Sequence, residues 1–167
     1  MKNFNKYMTK FQKLDGTKIE NVAKYIENYI ESDKHHEFEI FIGTDSQKVR
    51  KRNLVWYSSV VCLYRKGNGA HIIYAKEKRT DIIGIENRLL EEVNYSIQLA
   101  TYLRDNKVLN LDELLTLHID ISTNKKNKSN KVHKQAEGWV TGMGFECVSK
   151  PDSHASSYAA DMVCRMN

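Results

Sequence analysis

The segment EFEIFIGTDS, residues 37–46, decides the reading of this chain, because the hydrophobic period changes there from helical to alternating. Phe38, Ile40 and Ile42 recur at every second position, in a run of β-branched and aromatic residues that closes on Gly43, Thr44, Asp45 and Ser46. A first core strand is expected. Upstream, Phe4, Tyr7, Met8 and Phe11 stand at three- and four-residue spacing, Asp15-Gly16 reads as a turn, and Thr17 to Glu20 reads as a capping box. Ile19, Val22, Ile26 and Ile30 then form one stripe of a helix, so residues 1–36 are expected to be a helical extension and 37–167 the main domain.

Downstream, Asn53 to Tyr64 and Ala70 to Ala75 read as two further strands joined by the turn-like Lys66-Gly67-Asn68-Gly69, which makes an antiparallel meander. Ile85, Leu89, Val93, Ile97 and Ala100 recur at helical spacing, and LLTLHIDIS (residues 114–122) returns to strand character. A lysine-rich loop follows. A helix around Lys131 to Met143, a short strand around Phe145 to Val148 and a helix from about Ser153 complete the order βββαβαβα. The expected fold is α/β, a five-stranded mixed sheet flanked by helices, preceded by the helical extension.

The 167 residues fit one domain with a small appendage, and 41% hydrophobic against 28% charged residues is ordinary globular composition, which excludes global disorder. No apolar run is long enough for a membrane span, and the first residues lack the apolar core of a signal peptide. A soluble, cytoplasmic protein without membrane partners is expected. Cys62, Cys147 and Cys164 show no CxxC spacing, so neither a disulfide framework nor a zinc knuckle is suggested, and reduced, buried thiols are expected.

Four acids stand out by position. Asp45 closes the first strand and Asp120 lies near the end of the fourth, both in apolar company, and a buried carboxylate is costly unless paired, hydrogen-bonded or coordinated to a metal. For either alone, a cap or turn hydrogen bond is the commoner explanation. On the helix from Ile85, at about 100° per residue, Glu91 falls opposite the apolar stripe and Glu92 at its boundary, where it can reach a cleft at the sheet. The last helix carries Asp161 beside Ala155, Tyr158, Ala159, Met162 and Val163, with His154 on almost the same side. For Glu92 an ordinary flanking glutamate, and for Asp161 a solvated carboxylate, are the plain alternatives. Gathered at one point, such charges repel by about 4 kcal/mol per pair at ~4 Å and an effective dielectric near ~20. Hard dications such as Mg²⁺ or Mn²⁺ cancel that repulsion, and a pair of them suits in-line phosphodiester hydrolysis.

GTDSQ at Gly43 to Gln47, LLEEV at Leu89 to Val93, HIDIS at His118 to Ser122 and the closing SHASSYAAD, in that strand order, resemble the ribonuclease H-like superfamily, specifically its YkuK-like group. The resemblance covers about residues 37 to 167. It implies a two-metal-ion nuclease with Asp45, Glu92, Asp120 and Asp161 as catalytic metal ligands. His154 resembles the histidine of ribonuclease H enzymes that assists product release, in position only. His118, two residues from Asp120, lies on the same strand face and is either a partner behind a ligand or a satisfied interior histidine.

Lys125, Lys126, Lys128, Lys131 and Lys134 crowd the segment after Asp120, and Lys48, Arg50, Lys51 and Arg52 follow Asp45. Either patch alone reads equally well as a solvated loop, but their common nearness to the acids favours RNA, DNA or a hybrid as partner, bound without sequence preference. Two other functions compete with the nuclease: a non-catalytic nucleic-acid-binding module of the same fold, and an actin-like phosphotransferase, which normally needs a duplicated domain and glycine-rich phosphate loops.

Overall fold

The computed structural model describes residues 6–33, 35–49, 54–108, 111–124, 126 and 128–166. Its strands are β1 (Gln12–Lys13), β2 (Phe38–Val49), β3 (Leu54–Arg65), β4 (Gly69–Arg79), β5 (Leu115–Ser122) and β6 (Glu146–Lys150). Its α-helices are α1 (Val22–Glu31), α2 (Ile85–Asp105), α3 (Leu111–Leu114), α4 (His133–Gly142) and α5 (Asp161–Arg165), the last continuing a π-helical stretch at Ala155–Ala160. Asn21, not Thr17, caps α1, its side chain accepting the Lys24 N–H at 3.0 Å. Asp15 instead closes its own turn on the Thr17 N–H.

One sheet runs in the order β1-β4-β3-β2-β5-β6. The β2–β3–β4 meander is antiparallel as expected, whereas β5 joins β2, and β6 joins β5, in parallel. The expected five strands become six among the described residues, because Gln12 and Lys13 pair with Tyr74 and Ile73 at the β4 edge. A two-residue polar strand has no alternation to reveal it. The loop residues Arg50, Lys51, Arg52 and Lys125, and Phe4 of the N-terminal stripe, lie outside the described residues, as does the side chain of Lys128.

The pleat sends β2 side chains alternately to two cores. Ile40 and Ile42 face a large core with Val61, Leu63, Leu117 and Ile119, covered by α2, α4 and the N-terminal segment, from which Tyr7, Phe11, Ile19 and Ile26 are buried. Phe41 faces a smaller core of Val60, Tyr74, Ala155, Ala160 and Val163 beneath the last helix. Thus α2 and α5 stand on opposite faces of the sheet. Tyr158 and Met162 of the expected apolar set are 69% and 42% exposed, and Ile85 at the start of α2 is also exposed. In the last helix the π stretch, with i→i+5 bonds, shifts the phase that a regular helical wheel assumes.

Candidate functional site

The parallel β2–β5 ladder runs from Ile40–Leu115 to Gly43–His118. Continuing that register by two residues sets Asp45 opposite Asp120, on the same face, just beyond the last paired residues. Between Ile119–Ser149 and Ser122–Lys150 the β5–β6 register slips, so Asp120 and Ile121 form a bulge. A bulge re-aims side chains. Here it puts the Asp120 carboxylate 2.5 Å from Lys150 Nζ.

Asp45 is partly buried, and Glu92, expected at a helix boundary, is 4% exposed. Tyr95 on the same helix is wedged between Tyr7 and Tyr57, so the N-terminal segment and the sheet enclose both flanks of α2. Glu92 accepts a short 2.5 Å hydrogen bond from the Ser46 hydroxyl. Beside it, Thr44, Ser59 and Ser96 share buried hydroxyl contacts of 2.7 and 2.9 Å. Arg88, one helical turn before Glu92, donates to the Ser46 carbonyl at 3.0 Å. Glu91 is not simply solvated but pairs with Arg79 at 2.8 Å.

From the opposite face, the last helix packs at Asp45, where the Cys164 thiol donates to the Asp45 carbonyl at 3.4 Å. It carries Asp161, which is half-buried and paired to Arg165 at 2.9 Å. His118 accepts the Ala155 N–H at Nδ1 (3.0 Å) and stacks on Phe41 at 4.6 Å, so it fastens the beginning of that helix to β5. Accepting at Nδ1 requires the neutral ring with its proton on Nε2, and burial accordingly pushes the His118 pKa down to about 4. His154 is exposed, 6.4 Å from the His118 ring.

The acids act on one another. Burial pushes the Asp45 carboxyl up to about 6, a rise opposed by the Ser46 N–H and Arg88 and reinforced by the charges of Asp120 and Asp161. Burial, with Asp45 and Asp120 adding, holds Glu92 well above the ordinary carboxylate range. Glu92, Asp120 and His118 also line one narrow crevice. Yet among the described residues no three of these ligand types stand close enough to hold a metal ion. The fit to a hard dication lies in the chemistry of the donors, which are all oxygen and mutually repelling.

Lys48, Lys126, Lys131 and Lys134 are exposed, and Lys131 lies 3.5 Å from Glu86. Asn130 donates to the Ser122 and Thr123 carbonyls at 3.1 and 3.0 Å, folding this loop back onto the end of β5. A larger cleft of about 470 Å³ lies between the N-terminal segment, β4 and α2, where Lys10 pairs with Glu77 and Arg79 with Asp81 and Glu91. All three thiols are free, Cys164 buried and Cys62 and Cys147 only partly so.

Sequence reasoning missed Ser46, Arg88 and Lys150. Arg88 had a signal, since it precedes Glu92 by four residues and so shares its helix face. Lys150 had none, because its contact depends on the bulge.

The sheet order, the acids at the parting of β2 and β5, and helices on both faces define a ribonuclease H-like protein. The family model described as "Ribonuclease H-like" matches residues 21–165, and the chain belongs to that family. It is 26% identical over 154 residues to "Uncharacterized protein YkuK" of Bacillus subtilis (strain 168), covering 84% of this chain and 88% of that protein. No solved structure matches it. Among the described residues no helix is long and apolar enough to cross a membrane.

Proposed function

We propose that this protein is a nuclease that hydrolyses phosphodiester bonds in RNA, DNA or their hybrid with Mg²⁺ or Mn²⁺. The observation that carries the proposal is the opposition of Asp45 and Asp120 where their strands part, with Glu92 and Asp161 contributed from helices on the two faces of the sheet. Asp45 and Asp120 would hold the cation, and Glu92 and Asp161 would complete its oxygen ligands. A dication there supplies neutralisation of the clustered charge and polarisation of a phosphoryl oxygen.

The chain's own groups then divide the remaining work. Ser46 orients Glu92 through its hydroxyl, and Arg88 anchors the Asp45–Ser46 backbone from α2. His118, neutral near pH 7, keeps the last helix and hence Asp161 docked. Lys48, Lys126 and Lys131, with Arg50, Lys51, Arg52, Lys125 and Lys128 by their place in the sequence, meet backbone phosphates, which makes binding salt-dependent and indifferent to base order.

Purified protein should cut a labelled RNA–DNA hybrid or single strand when Mn²⁺ is added and leave it intact in EDTA. One observation favours the non-catalytic module instead: Lys150 and Arg165 already satisfy Asp120 and Asp161. A strand that binds without turnover, with no heat from Mn²⁺ in calorimetry, would decide for the module.

Lys150 competes with a cation for Asp120. Replacing it by methionine should therefore tighten Mn²⁺ binding by about five-fold, the order of a partly exposed ion pair, as read by isothermal titration. An unchanged affinity would show that the ammonium does not oppose the metal.

A further inference from the structure

A row of rings crosses the sheet face beneath the last helix and ends in solvent. Tyr64 stacks with Phe41 at 6.2 Å, Phe41 with His118 at 4.6 Å, His118 meets His154 edge-on at 6.4 Å, and His154 stacks with Tyr158 at 6.0 Å and 21°. The inner members are held by packing and by the His118 bond to Ala155. The outermost, Tyr158, is 69% exposed, one turn before Asp161. Met162, 42% exposed, follows four residues later. A large ring kept in water, nearly parallel to a second ring, is a planar apolar surface without a cover among the described residues.

From this geometry we infer that Tyr158, backed by His154, is a stacking subsite for an unpaired base of a single-stranded nucleic acid. The inference rests on the nucleic-acid part of the function proposed above, not on its metal chemistry. Charge selects the occupant: the chain carries net +5, and Lys48, Lys126, Lys131 and Lys134 are exposed, which suits a polyanion. Every base offers a π-face, so such a subsite grips a strand without reading its sequence. Its place beside Asp161 sets the strand's path along the acids. The π-helical stretch supplies the mount, lifting Tyr158 out of the small core that Ala155 and Ala160 occupy.

Fluorescence anisotropy on the full chain in EDTA tests the subsite without turnover, using labelled dT12 and an abasic strand of equal length. Tyr158→Ala should weaken dT12 binding by about ten-fold or more, the order of one base–aromatic stack. Tyr158→Phe should restore it, whereas Tyr158→Leu should not. The abasic strand should bind more weakly and be indifferent to all three changes. Equal affinity of wild type and Tyr158→Ala for dT12, equal weakening for both strands, or no binding of dT12 at all would overturn the inference. Retained stacking without Mn²⁺-dependent cleavage would instead remove the nuclease reading and leave the subsite standing.

Discussion

Asp45→Asn should abolish Mn²⁺-dependent cleavage and, in the same protein, make the metal-free chain harder to unfold. The two effects have one cause. Asp45 has a folded-state pKa of about 6 against an ordinary 3.8, so the native state binds its proton more tightly than the unfolded chain does. Stability from this group is therefore present at low pH and lost as pH rises through that window. At neutral pH the ionised carboxylate costs up to about 3 kcal/mol, which asparagine does not incur. The variant's advantage should be absent below pH 3.8, open between there and about 6, and stay constant above. In thermal unfolding it should appear as a rise of several degrees, at about 2–4 °C per kcal/mol for a chain of this size. Mn²⁺ at about a thousand-fold excess over Kd should reverse the order, since only the wild type then gains about 4.1 kcal/mol. Cleavage that survives in Asp45→Asn refutes the assignment of this residue.

Phe11→Ala should be the most damaging change away from the acids. Phe11 is 0% exposed, touches Tyr7 ring edge to face at 6.1 Å, and accepts the Ile19 N–H through its carbonyl at 2.9 Å. Deleting a buried phenyl costs about 3–5 kcal/mol, against a total stability of about 5–15 kcal/mol for a typical domain. Urea unfolding should show a much lower midpoint with an unchanged slope. A loss under about 1 kcal/mol would mean that the N-terminal helical extension adds little to the stability of the rest of the chain.

The main strands and helices were legible because their periods are long and consistent: Phe38, Ile40 and Ile42 alternate, and Leu89, Val93, Ile97 and Ala100 return every turn or so. The acids were legible through their company, since Asp45 and Asp120 interrupt apolar strands that proved to be neighbours. The helical period puts Glu92 at the boundary of its apolar stripe, but its burial to 4% exposure is not visible there, because it comes from the ends of β2 and β5 against which α2 packs. Lys150 was invisible for a similar reason. A slip in parallel pairing has no pattern along the chain, and neither does a helix that changes its winding after Ala155.

That change of winding has an evolutionary corollary. A wide turn is what remains when one residue is inserted into a regular helix, so losing any one residue from Ala155–Ala160 could return the segment to ordinary winding at little local cost. Because the wide turn absorbs the extra residue, everything after the deletion would keep its direction, and Asp161 would stay on the same side of the helix. Homologues that shorten this stretch by one should therefore retain the final carboxylate.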